Sequence, residues 1–96
     1  MALLDELLQR REELRRLAAR HGGSNLRVFG SVARREESPD SDVDFLVDLD
    51  TGRSLFDQAA LLVDLEDALG REVDVLTENG LKPAIRERVL ADAVGL

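Results

Sequence analysis

Two aspartates separated by one apolar residue, Asp42-Val43-Asp44, lie a short polar spacer downstream of Gly30-Ser31, and these are the residues whose types and spacing suggest chemistry. On a strand, successive side chains point to opposite faces. Asp42 and Asp44 then share one face about 7 Å apart, while Val43, Phe45 and Val47 take the other. At an effective dielectric near 20 the two carboxylates repel by roughly 2.5 kcal/mol, a cost that a divalent cation between them turns into attraction. Oxygen-only ligands suit magnesium or manganese, which keep water and substrate phosphate in their shells and are commonly held by one or two carboxylates. A lone DxD is short and common, and by itself it reads more simply as the solvated face of an edge strand.

Gly30-Ser31 changes that balance. Glycine permits a tight turn and close approach of a ligand, and Ser31 opens a helical turn, Val32-Ala33-Arg34, whose free amides point outward. Such a helix start attracts phosphate. Arg34 adds a fork of donors for the same anion. Gly-Ser alone is a plain helix cap, but a phosphate-holding turn followed by a DxD strand describes a site for a metal-bound nucleoside triphosphate.

The elements that must position these groups follow from periodicity. Leu3, Leu4, Leu7, Leu8, Leu14, Leu17 and Ala18 recur at helical spacing from about residue 2 to residue 20, where Gly22-Gly23 stops the helix. Arginines gather toward its C-terminal end, complementing the dipole, and read as a solvated face. A first strand holds Leu26, Val28 and Phe29; a polar loop with Ser38, Pro39, Asp40 and Ser41 leads to a second strand, Asp42 to Val47. Ser54 and Asp57 form a capping box for a second long helix whose apolar positions include Leu55, Ala59, Leu62, Val63, Leu65 and Leu69, with Gly70 just past its end. Arg71 to Leu76 is a third strand with Val73 and Val75 on one side and Glu72, Asp74 and Leu76 on the other. A last helix carries Leu81, Ile85, Val89, Leu90 and Ala93, with Pro83 tolerated in its first turn. This order gives a small α/β (α+β) domain over residues 1–96, a mixed sheet with helices packed on one face and the edge bearing the aspartates left open.

Composition removes several classes of function. There are no cysteines and one histidine, His21, so disulfides, iron–sulfur clusters and a cysteine or histidine zinc site are excluded, and hard-metal chemistry remains. A net charge of -7 argues against an unspecific grip on nucleic acid, which needs a basic surface. No apolar run approaches the ~20 residues that cross a bilayer, and the N-terminus lacks the order of a secretory signal, so a soluble cytoplasmic protein is expected. Only Lys82 interrupts an otherwise all-arginine set of basic residues, which says little about function. The few aromatics offer no obvious interface, and pairing with itself or in a hetero-oligomer stays open.

The run GSVARREESPDSDVDFLV resembles the signature of the DNA polymerase beta-like nucleotidyltransferase superfamily, in which a hydrophobic strand ends in Gly-Ser and a spacer leads to Asp-hydrophobic-Asp-hydrophobic. Gly30, Ser31, Asp42, Val43, Asp44 and Phe45 match it here. The small stand-alone branch, the minimal nucleotidyltransferases, typically reads GSxARGE followed by SDxDLLV, and the resemblance covers nearly the whole chain. The departure is Arg35, where that branch usually has glycine.

The resemblance implies a nucleotidyltransferase fold and a third carboxylate on the neighbouring strand, which Asp74 matches better than Glu72. It implies magnesium or manganese, two ions, held by Asp42, Asp44 and Asp74, with ATP as substrate and Gly30, Ser31 and Arg34 on its outer phosphates. Pyrophosphate would leave and a nucleoside monophosphate would be transferred, with Asp74 placing or deprotonating the acceptor hydroxyl. Larger members carry a further domain for the acceptor, so here the acceptor is expected on another molecule. Minimal nucleotidyltransferases are typically encoded beside a helical HEPN protein, and the pair is similar to a toxin–antitoxin system in which AMP passes to a tyrosine of the HEPN toxin. The expectation is therefore a protein adenylyltransferase antitoxin. Two alternatives stand beside it: an antitoxin that works by binding alone, and a nucleotidyltransferase that modifies RNA or a small molecule with a separate acceptor-binding subunit.

Overall fold

The computed structural model describes residues 2–96, and these form five helices and four strands. Helices α1 (Leu3–Gln9) and α2 (Arg11–Arg20) lead into β1 (Gly23–Phe29), the short turn α3 (Gly30–Ala33) and β2 (Val43–Leu49). Helix α4 (Leu55–Leu69), β3 (Val73–Leu76), a single 3-10 turn at Glu78–Gly80, α5 (Pro83–Asp92) and β4 (Val94–Gly95) follow. The sheet runs β3-β2-β1-β4. Strand β1 is antiparallel to β2 and β4, whereas β2 and β3 are parallel, because α4 supplies the crossover that a parallel pair requires.

Strand β2 is central and reads accordingly. Val43, Phe45 and Val47 are fully buried on one face against Leu4, Leu7, Leu14, Ala18, Leu61 and Leu65, so α1, α2 and α4 cover that face as expected. Leu46, equally buried, points the other way and meets Phe29, Leu81 and Val89. Helix α5 thus packs on the opposite face, so helices lie on both faces of the sheet and not on one alone as expected, because Leu46 and Phe29 give that face an apolar patch of its own to cover. Asp44 shares that second face with Leu46 by strand alternation, at the end of the strand that α5 leaves accessible.

Several local expectations need correction. The first helix breaks at Arg10, whose backbone leaves helical values (φ -98, ψ 12). The break is held from the side: Arg10 donates to both Glu13 carboxylate oxygens at 3.0 and 2.9 Å and to the Ala68 carbonyl at 2.9 Å, pinning the joint to α4. Strand β1 begins at Gly23, earlier than its apolar run, because Gly23 and Ser24 pair with Leu49 and Asp48 of β2; a Cβ at Gly23 would meet Val47 Cγ2 at 2.9 Å. Strand β3 begins only at Val73, and Asp42 sits just outside β2. Strand β4 escaped the sequence reading, since a two-residue strand carries no periodicity; it exists through its pairing with Arg27 and Val28.

The capping box opens α4 as expected, with the Phe56 amide donating to Ser54 Oγ and the Ser54 amide donating to Asp57 Oδ2. Its inward face differs. Leu61 and Leu65 are buried, while Leu55 and Val63, assigned inward from the sequence, are 79% and 53% exposed beside Phe56 at 86%. Apolar residues occupy nearly every side of this helix, so periodicity alone could not choose its buried side. The outer stripe is also the apolar surface that composition gave no sign of. In α5, Ile85 and Leu90 likewise turn outward and Val89 carries the packing. Among the described residues, no helix is long and apolar enough to cross a membrane.

Candidate active site

Strand register, rather than sequence proximity, assembles the site. Asp44 of β2 stands opposite Phe29 on β1 and opposite Asp74 on β3. The last residue of β1 before Gly30 and the central aspartate of β3 therefore flank it from both sides. Asp42 lies two positions earlier on the same chain, so Asp42, Asp44 and Asp74 open onto one end of the sheet. Asp42 and Asp74 are exposed, and Asp44 is half-buried. Burial, then the charge of Asp74, then that of Asp42 push the Asp44 carboxyl above the usual carboxylate range, with nearby Arg34 pulling the other way.

Gly30 is shaped by the same carboxylate. Its φ of 73 lies in the left-handed region, and a Cβ built there would collide with Asp44 Oδ2. Only glycine satisfies both conditions at once. The chain turns there into α3, with the Arg34 amide returning to the Gly30 carbonyl at 3.1 Å and the Glu36 amide to the Ser31 carbonyl at 2.8 Å. The turn begins at Gly30, one residue earlier than expected, and Ser31 is part of it.

Arg34 does not point a free fork at this turn. Its Nε donates to Glu36 at 3.1 Å and its Nη1 to Asp92 of α5 at 2.8 Å, so an arriving phosphate would have to exchange for these partners. Next to it, Arg35 adopts φ 59. A left-handed backbone favours glycine; here the arginine accepts the strain and grips Asp5 of α1 through two bonds of 2.8 and 2.9 Å. Asp5 is held below the usual carboxylate range by that hydrogen bond. His21, given no role from the sequence, meets Asp64 of α4 at 2.6 Å and ties α2 to α4.

The spacer ends in a closed loop. The Ser41 amide donates to the Ser38 carbonyl at 3.0 Å, and the Ser38 amide donates to Ser41 Oγ at 3.0 Å. Arg71 reaches over from the α4–β3 connection to the carbonyls of Pro39 and Ser41 at 3.3 and 3.2 Å. Neither this arginine nor Asp92 and Glu36 emerged as site neighbours from the sequence. No local pattern marks them, because their partners lie far along the chain or in an irregular loop.

The donor set fits a hard divalent cation in its chemistry: carboxylate oxygens, in a surrounding that raises the affinity of Asp44 for positive charge. Among the described residues, however, no three acidic or histidine side chains are drawn into a ready-made coordination shell. A cavity of about 370 Å³ borders Asp42, Arg71 and Glu72. Another, of about 620 Å³, lies at the opposite end of β2, near Asp50, Arg53 and Thr77, away from the three aspartates. The smaller one is adjacent to the chemistry.

The profile of the nucleotidyltransferase domain family matches residues 7–96. A Methanocaldococcus jannaschii protein, provisionally named a protein adenylyltransferase, is 45% identical over 75 residues, covering 78% of this chain and 81% of its own. The protein adenylyltransferase MntA of Thermococcus cleftensis is 41% identical over 78 residues, covering 81% of this chain and 79% of its own. Among solved structures, a chain provisionally named a minimal nucleotidyltransferase superposes with a TM-score of 0.85 at 50% identity, over 97% of this chain and 95% of that one. A toxin–antitoxin crystal structure with AMP-PNP shares the fold, with a TM-score of 0.74 at 17% identity, over 88% of this chain and 69% of that one.

Proposed function

From the premise that this chain belongs to the nucleotidyltransferase domain family and is an enzyme of its minimal nucleotidyltransferase branch, we propose that it transfers AMP from ATP to a hydroxyl of a protein partner and acts as an antitoxin. The partner is a HEPN toxin and the acceptor a tyrosine. The observation that carries this reading is the register of β2 against β1 and β3, which brings Asp44 beside both Gly30 and Asp74. The names of the relatives, protein adenylyltransferases, support the choice of AMP and of a protein acceptor. The toxin–antitoxin neighbour supports a toxin as that acceptor.

Asp42 and Asp44 would hold one magnesium or manganese ion and, with Asp74, a second; when bound, such ions neutralise phosphate charge and lower the pKa of a hydroxyl. The residues of this chain do the rest. The amides of the Gly30-Ser31 turn donate to the outer phosphate oxygens, close to Asp44 because Gly30 has no side chain. Arg34 exchanges Asp92 and Glu36 for phosphate oxygens. Asp74, exposed on the outer strand, orients the acceptor hydroxyl and takes its proton. The hydroxyl oxygen forms a bond to the α-phosphorus as the bond to the bridging oxygen breaks, and pyrophosphate departs with that electron pair.

The test mixes the protein, ATP and magnesium with a purified HEPN toxin, reads the toxin by mass spectrometry for added adenylyl groups, and follows growth rescue in parallel. Asp74→Asn is expected to bind the partner yet add no mass and leave it toxic. Rescue without added mass would establish neutralisation by binding alone. Modification of RNA or a small molecule, with the protein partner untouched, would move the reading to the other acceptor classes.

A further inference from the structure

Asp42 is the least supported of the three aspartates. It is exposed and precedes the first residue of β2, so no strand pairing of its own fixes it. Its two chain neighbours, by contrast, are both held, and both by the same dipeptide of the α4–β3 connection. On one side the Arg71 guanidinium donates through Nη2 to the Ser41 carbonyl at 3.2 Å and the Pro39 carbonyl at 3.3 Å. On the other the Val43 amide donates to the Glu72 carbonyl at 3.1 Å.

The two restraints differ in kind. The Val43 bond is main-chain pairing that continues the β2–β3 register from Val43 opposite Val73. The Arg71 bonds are side-chain bonds to a loop and can be removed without touching the ladder. In a chain of net charge -7, Arg71 spends these donors on main-chain carbonyls, and its Nε is buried without a partner. Leaving a buried donor unpaired costs on the order of 1 kcal/mol or more, and no ion pair among the described residues involves Arg71, so the two carbonyl bonds are what hold this side chain in place. It lines the small cavity together with Asp40, Ser41, Asp42 and Glu72, so its charge also faces the approach to Asp42.

We propose that Arg71 is a positioning residue for Asp42, clamping the loop in front of that aspartate so that its carboxylate is presented to the cation shared with Asp44. The inference rests on the reading of Asp42 as a metal ligand. Partners that orient a metal ligand from behind typically change metal affinity by about 10- to 100-fold when removed.

The experiment compares the parent, Arg71→Met, Arg71→Lys, Asp42→Asn and the Arg71→Met/Asp42→Asn double variant. Three readouts are taken: Mn²⁺ binding by water-proton relaxation in the presence of a non-hydrolysable ATP analogue, AMP transfer, and thermal melting without metal. Arg71→Met is expected to weaken Mn²⁺ binding by about 10-fold, in the range for such partners, while melting like the parent. Arg71→Lys, which keeps one donor group near the carbonyls, is expected to recover part of that loss. The double variant is expected to bind Mn²⁺ no worse than Asp42→Asn alone, the signature of a residue acting through another. Parent-like Mn²⁺ binding in Arg71→Met while Asp42→Asn loses it would overturn the proposal and leave the site reading intact. Parent-like binding in Asp42→Asn would overturn the site reading itself. If Arg71→Met fails to fold, Arg71→Lys and an Arg71→Lys/Asp42→Asn double variant made in its place decide by the same comparison, and additive losses there overturn the clamp.

Discussion

Replacing Asp44 by asparagine should make the metal-free protein more stable and the enzyme inactive. Asp44 stands one strand spacing, about 5 Å, from Asp74 and about 7 Å from Asp42, two residues earlier and just before β2. With both neighbours exposed, the repulsion lies nearer the water limit than the protein limit, about 0.8 kcal/mol for the first pair and about 0.6 kcal/mol for the second at a dielectric near 80. Burial, the largest cause of the raised Asp44 carboxyl, adds to this cost, and Arg34 returns part of it. A net gain of about 1 kcal/mol is expected, a rise of roughly 4–8 °C in Tm for a domain of this size. The pH dependence follows from the direction of the shift. A carboxyl raised in the folded state makes folding costlier at neutral pH, and the cost fades as pH falls through the folded value toward the ordinary one. The advantage of Asp44→Asn should therefore shrink on acidification. Excess magnesium and an ATP analogue should reverse the order, since ligand at about 100 times its Kd stabilises the parent by about 2.7 kcal/mol and the variant by much less. Differential scanning calorimetry at two pH values, with and without magnesium and analogue, reads all three effects. A variant that melts below the parent in metal-free neutral buffer would refute the reasoning, because the carboxylate would then be holding the fold together.

Gly30→Val should reduce nucleotide affinity more than Ser31→Ala, because any Cβ at position 30 meets Asp44 and the left-handed backbone is strained, whereas alanine at 31 keeps the turn amides; equal affinities by titration with ATP and magnesium would remove the phosphate-turn assignment. Arg35→Gly should change stability by less than about 0.5 kcal/mol, as relief of left-handed strain offsets the flexibility of glycine and the loss of an exposed pair with Asp5; a loss well above that by chemical denaturation would mean that the pair anchors α1. Leu61→Ala should cost about 2–5 kcal/mol and Val63→Ala less than about 0.5 kcal/mol, since one is fully buried and the other more than half exposed. Similar costs in urea melts would mean that the outer face of α4 is covered.

What the sequence determined by itself is what depends on near neighbours along the chain. Gly-Ser at a strand end, the alternation Asp42-Val43-Asp44-Phe45, the Ser54/Asp57 box and Pro83 in a first turn are patterns of local backbone geometry, and the elements they announce stand within a residue of where they are expected. Chemistry-bearing residue types and their spacing were legible for the same reason. Tertiary structure decided everything that depends on register and packing. Only the parallel pairing of β2 and β3 sets Asp74 beside Asp44, only the close approach of that carboxylate explains why position 30 has room for no side chain, and only the fold commits Arg34 to Asp92 and sends Arg71 to the loop before Asp42. The inward side of α4 belongs to this second group, because a helix with apolar residues on nearly every side carries little amphipathic moment to orient it and the choice of Leu61 over Leu55 and Val63 falls to the sheet it packs against.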